Sequence, residues 1–109
     1  MEKIVRQTLL FDFYGELLTG HQQAIYEDVV CNDLSCSEVA AARGISRQGV
    51  HDLVRRCDRQ LEAYEEKLHL VEKFLQIRSK VQQIRQSAET LGSSGVEIIA
   101  ACDQILEEL

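Results

Sequence analysis

Four arginines, Arg47, Arg55, Arg56 and Arg59, share a stretch of thirteen residues with Gln48, His51 and Asp52. Guanidinium forks pair with phosphate oxygens or with the O6/N7 edge of guanine, and a glutamine amide pairs with the edge of adenine. If Val50, Leu53, Val54 and Cys57 form the inward face of a helix at 100° per residue, Gln48, Asp52, Arg55 and Arg59 point directly outward. His51 and Arg56 then lie on the shoulders, and Arg47 sits in the first turn. Ser46, Arg47 and the open N–H groups of that turn suit a phosphate, and Ser37 on a preceding helix suits the opposite backbone. Asp52 accepts only from cytosine N4 and otherwise repels a polyanion. This is the chemistry of reading duplex DNA, set against the plainer possibility of a solvated helix face.

Such a face needs a scaffold, and the preceding residues supply one. In SCSEVAAARGISRQGVHDLVRRC (35–57), Ser35 and Glu38 form a capping box for a short alanine-rich helix. Gly44 suits the left-handed residue that ends it, Ile45 plugs the turn, and Ser46 caps a second helix opening at Arg47. Ala40 is small where the second helix must cross, and Val50 and Leu53 bury that helix's back. Together these features predict a helix-turn-helix.

The rest of the chain reads as helix. Residues 3–18 form a first helix with 10, 13, 14 and 17 on one face. Thr19 and Gln22 make a second capping box, opening a helix from about Gly20 to Val30 that ends at Asn32-Asp33. From Val50 the apolar positions Val54, Cys57, Leu61, Tyr64, Leu68, Val71 and Leu75 follow at alternating spacings of four and three. This heptad seam predicts a long helix in coiled-coil-like contact, with Leu61, Tyr64, Leu68, Val71 and Leu75 at a homodimer interface. Past Leu75 the phase slips to a seam of Phe74, Ile77, Val81, Ile84, Ala88 and Leu91, implying a change of twist or a break. Gly92-Ser93-Ser94-Gly95 reads as a turn before a last helix, Val96 to Leu109, folded back on its predecessor. That helix puts Ile98 or Ile99, Cys102, Ile105 or Leu106, and Leu109 on one face.

Composition narrows the function classes. The chain of 109 residues has no proline and no tryptophan and carries 28% charged residues, which suits an all-α protein. The apolar run Leu9-Leu10-Phe11 is broken by Asp12, and no secretory signal is evident, so a cytoplasmic, non-membrane protein is expected. Cys31, Cys36, Cys57 and Cys102 read as buried free thiols, because Cys31-x4-Cys36 has no matching second pair for a metal. Neither a cofactor nor a catalytic constellation is indicated. Net charge is −6, yet residues 35–59 set five arginines against three acids, while the flanking segments 1–34 and 60–109 are each −4. The positive charge is confined to the helix-turn-helix.

The succession LLFDFYGELLTGHQ, SCSEVAAARGISRQGVHDLVRR and LEAYEEKLHLVEKF, covering Leu9 to Phe74, resembles the YlxM family of small bacterial proteins. The N-terminal half of that family is similar to region 4 of sigma factors. The resemblance implies a sigma-factor region 4-like helix-turn-helix bundle, here with a long heptad-patterned helix and a C-terminal helical hairpin. It also implies a regulatory role linked to the signal recognition particle, through gene neighbourhood beside the particle's GTPase. Arg43 departs from the motif, standing where an apolar residue usually precedes the turn glycine, and Gln23 stands where a basic residue is common. The expected division is a helix-turn-helix domain at 1–60 and a dimerising helical extension at 61–109. Two functions follow: a DNA-binding regulator, or a protein-interaction module acting on the signal recognition particle or its GTPase.

Overall fold

Local chemistry sets the helix boundaries in the computed structural model, which describes residues 1–109 and contains only helical elements. Helix α1 spans Lys3–Tyr14 and tightens into a 3-10 turn at Gly15–Leu17. The tighter turn rotates the residues that follow Tyr14. The buried face is therefore Leu10, Tyr14 and Leu18, not the expected 10, 13, 14 and 17, and Phe13 and Leu17 stay exposed. Thr19 and Gln22 form the expected capping box for α2, Gly20–Tyr26, which runs on as a π-helical turn at Glu27–Cys31. Asp33 then takes a left-handed conformation. Helix α3, Cys36–Arg43, opens on the Ser35/Glu38 box and closes on Gly44 at φ 68°, where a side chain would be strained. Helix α4, Arg47–Leu68, starts with the Ser46 hydroxyl accepting from the Gly49 N–H at 2.9 Å.

The chain forms two compact units, Met1–His69 and Leu70–Leu109. In the first, α4 packs against α1, α2 and α3. Val50 meets Ile25, Val39 and Ala40 at the centre, with Leu53, Val54 and Ile45 at the margin. Farther along α4, Cys57 and Leu61 are fully buried. Beside this apolar stripe runs a row of polar clasps. The Tyr26 hydroxyl donates to Asp58 at 2.6 Å, and the Gln7 amide donates to both oxygens of the same carboxylate. The Tyr14 hydroxyl donates to buried Glu65 at 2.6 Å, and Arg6 grips Glu62 through two nitrogens at 2.6 and 2.8 Å. Burial and then the bond to Asp58 raise the Tyr26 phenol well above its ordinary range. The Arg6 hydrogen bond holds the Glu62 carboxyl below its own.

Two expectations about the heptad seam need correction. The seam from Val50 to Leu75 does not lie on one helix: the chain leaves α4 at His69, φ 55°, and begins α5 at Leu70. Nor is its first part available to a second chain, because Val50, Cys57 and Leu61 have no exposure and the Tyr64 ring stands 6.0 Å from that of Tyr14. Of the five residues expected at a dimer contact, Leu61 and Val71 are buried, Tyr64 and Leu75 half-buried, and only Leu68 is exposed. The division between units falls at 69/70 rather than 60/61, since Leu61, Glu62 and Glu65 hold α4 to the first unit.

The second unit is a hairpin of α5, Leu70–Glu89, and α6, Val96–Glu108, joined through a 3-10 turn at Gly92–Gly95. Gly95 lies so close to α5 that a Cβ there would stand 2.0 Å from the Ala88 carbonyl oxygen. Arg85 donates to Asp103 across the hairpin at 2.7 Å. Cys102 is buried, and Ile99 and Leu106 are half-buried beside it, which leaves Ile98 and Ile105 exposed. The thiols differ from the expectation that all four are buried: Cys57 and Cys102 are buried, Cys36 is half-buried and Cys31 is exposed. Burial pushes the Cys57 thiol up to about 11.

Two tests follow. All three tyrosines lie in the first unit, so their fluorescence during urea unfolding reports on it alone. Leu61→Ala lowers its stability by about 2–5 kcal/mol, whereas Leu68→Ala, at an exposed site, changes it by less than about 1 kcal/mol. Comparable losses at both sites would contradict the assignment of the seam. Titration with a thiol reagent at mildly alkaline pH labels Cys31 first, and Cys57 and Cys102 react only on unfolding.

Candidate nucleic-acid interface

Because α4 turns Val50, Leu53, Val54 and Cys57 toward the core, its first thirteen residues present every polar side chain except Asp58 to solvent. Arg47, Gln48, His51, Asp52, Arg55, Arg56 and Arg59 are all exposed, as are Ser37 and Ser46. Ser37, Arg47, Gln48 and His51 come together in a groove between the starts of α3 and α4, which Ser35 and Cys36 also line. On sequence, Ser35 has only a capping role and Cys36 reads only as a buried thiol. The signal that could have found them is their place in the α3 first turn, beside Ser37. Asp52, Arg55, Arg56 and Arg59 line a second, shallower concavity farther along α4.

The arginines divide into two kinds. Arg6 is paired with Glu62, Arg43 with Asp28 and Arg85 with Asp103 and Glu89, while Arg78 lies over the Phe74 ring. Arg47, Arg55, Arg56 and Arg59 have no carboxylate within ion-pair distance. The Arg43–Asp28 pair also explains the departure at the turn: the guanidinium lies along the π-helical turn after α2 and leaves Gly44 free to reverse the chain. Asp58 is taken up by Tyr26 and Gln7. The exposed face of α4 up to Arg59 thus carries four free guanidinium groups against one carboxylate, Asp52. A surface of this kind attracts an anion with several evenly spaced charges.

Asp52 is not idle. The Gln48 side-chain amide donates to Asp52 Oδ1 at 2.8 Å, one helical turn away, and His51 Nδ1 lies 4.0 Å from the same oxygen. Gln48 therefore does not stand free for adenine as its outward position suggested; its donor must leave Asp52 first. The Ser46 hydroxyl oxygen is likewise engaged by the Gly49 N–H, which makes Ser46 a cap that fixes the first turn of α4.

Comparison with known proteins agrees with this architecture. Residues 1–100 match the family model described as "Putative helix-turn-helix protein, YlxM / p13 like". A UPF0122 protein of Thermoanaerobacter sp. strain X514 is 39% identical over 104 residues, covering 94% of this chain and 89% of its own. A UPF0122 protein of Caldanaerobacter subterraneus is 47% identical over 79 residues, 72% of this chain and 68% of its own. UPF0122 protein YlxM of Bacillus subtilis is 38% identical over 109 residues, the whole of this chain and 97% of its own. With its capped α3, left-handed Gly44 and α4 docked on one face, the chain belongs to the YlxM / p13-like helix-turn-helix family.

Proposed function

We propose that this protein is a DNA-binding regulator that docks the N-terminal half of α4 on duplex DNA. The observation that carries the reading is the set of four unpaired guanidinium groups on the exposed face of a helix whose other face is buried. In a helix-turn-helix the start of the second helix enters the major groove while the first crosses the backbone. Arg47 and Ser37, sharing one groove, hold a phosphate there; Arg55 reaches a guanine edge or a second phosphate; Arg56 and Arg59 extend the contact along the backbone. Gln48 reads adenine once Asp52 releases it, and His51 lies beside it in the same groove. The reading is of a binding protein, not an enzyme, working in the cytoplasm on the signal recognition particle pathway that the family resemblance implies.

A second reading has an observation of its own. The chain as a whole is −6, and Asp52 sits amid the arginines it must share with DNA. A surface of alternating sign also suits a protein partner, such as a component of the signal recognition particle or its GTPase.

Fluorescence anisotropy on random duplex DNA separates the two. With about four phosphate contacts, affinity falls roughly a hundredfold between 50 and 200 mM salt, and Arg47→Ala/Arg55→Ala lowers the salt slope by about two. No binding at low salt, or equal binding by the double variant, would leave the protein-partner reading. Asp52→Ala removes the one carboxylate and the acceptor that holds Gln48, so it tightens binding roughly three- to tenfold; a loss of affinity would show that Asp52 contributes to the contact instead.

A further inference from the structure

The α5–α6 hairpin leaves half of its apolar surface uncovered, and the uncovered half has a strict period. On α5 Val81 and Ala88 are buried, whereas Ile77 and Ile84 on the same helix and Leu91 in the turn after it, also seven residues apart, are 46%, 52% and 53% exposed. On α6, Cys102 is buried, whereas Ile98 and Ile105 are 40% and 43% exposed. Three of the exposed positions come together: Ile84, Leu91 and Ile98 line a single groove with Ala88 in it and Lys80, Gln83 and Ser87 at its sides. An apolar stripe that repeats every seven residues stays in register only with another helix of the same repeat. Here two such stripes lie side by side, and a hairpin exposing them is half of a four-helix bundle.

We infer that the occupant of this groove is the same face of a second copy of the chain, packed about a two-fold axis. Three features favour self-association over a foreign helix. Both helices expose a stripe, so a single docking helix would satisfy the groove but leave Ile77 and Ile105 bare. Charge is also self-complementary. Helix α5 carries Lys73, Arg78, Lys80 and Arg85 against two acids, while α6 carries four acids and no base. Of the two-fold pairings, the one that sets each basic α5 beside the partner's acidic α6 is favoured by charge, and an isologous interface makes that contact twice. Arg85 is already held by Asp103 within the hairpin, and Lys80 remains at the groove edge to face the other copy. Finally, pairing the exposed stripes and their flanks buries on the order of 1,000 Å² in all, the lower bound for a specific interface. This surface is distinct from the Leu61–Leu75 seam, whose Leu61 and Val71 are already buried, and it does not depend on what α4 binds.

The test is the mass of the full chain in solution by sedimentation equilibrium over roughly 50–500 µM, a range that covers the weak association expected of an interface at the low end of the size scale. The expected mass is twice the 12.4 kDa of one chain. Ile84→Glu/Ile98→Glu is expected to give the single-chain mass with unchanged helical circular dichroism. If that variant also loses helix, Lys80→Glu decides: it sits at an exposed site and weakens association about tenfold without touching the hairpin. A monomeric wild type overturns the inference. So does a double variant that keeps both its helix and the dimer, or, where the double variant unfolds, a Lys80→Glu chain that associates as tightly as the wild type.

Discussion

Helix α4 has one apolar stripe, and burying it against α1, α2 and α3 decides where every polar group on that helix points. Once Val50 is locked among Ile25, Val39 and Ala40, the helix cannot rotate without exposing Leu53 and Val54 or burying a guanidinium. Burying an unpaired charge is far more costly than any local gain. The polar clasps to Asp58, Glu62 and Glu65 fix the same rotation at three further turns. The Arg47–Arg59 face is thus a consequence of core packing in the first unit.

That constraint also explains how the acidic chain keeps a basic surface. The two acids that follow Asp52 on α4 are engaged elsewhere: Asp58 by Tyr26 and Gln7, and Glu62 by Arg6. Packing withdraws these two carboxylates and leaves Asp52 alone among four guanidinium groups. Net charge of the whole chain is a poor guide to such a surface, because the field near a ligand is set by the charges that share its face and screening removes the rest.

Much of this was legible in the residues. Both capping boxes, the left-handed Gly44 and the inward set of α4 follow from short-range chemistry, and short-range chemistry is what a sequence displays directly. The break at His69 was not legible. A histidine in the left-handed region has no sequence signal comparable to glycine, and the spacing of three and four continues through it from Leu68 to Val71 and Leu75. Periodicity reports phase, which a one-residue interruption leaves nearly intact. The same limit hid the use of the seam, since a heptad stripe buried by three helices of its own chain looks like one that awaits a partner. The Gln48–Asp52 bond was open to view as an i, i+4 pair, but base-reading logic took each residue singly.

The most direct measurement is the nuclear magnetic resonance spectrum of the arginine side-chain Nε–H groups with and without a short DNA duplex. Arg47, Arg55, Arg56 and Arg59 should shift together on titration, while Arg6, Arg43 and Arg85, already bonded to carboxylates, stay in place. Shifts confined to the latter group, or no shift in any of the eight arginines of the chain, would contradict the claim that core packing has built a nucleic-acid face on α4.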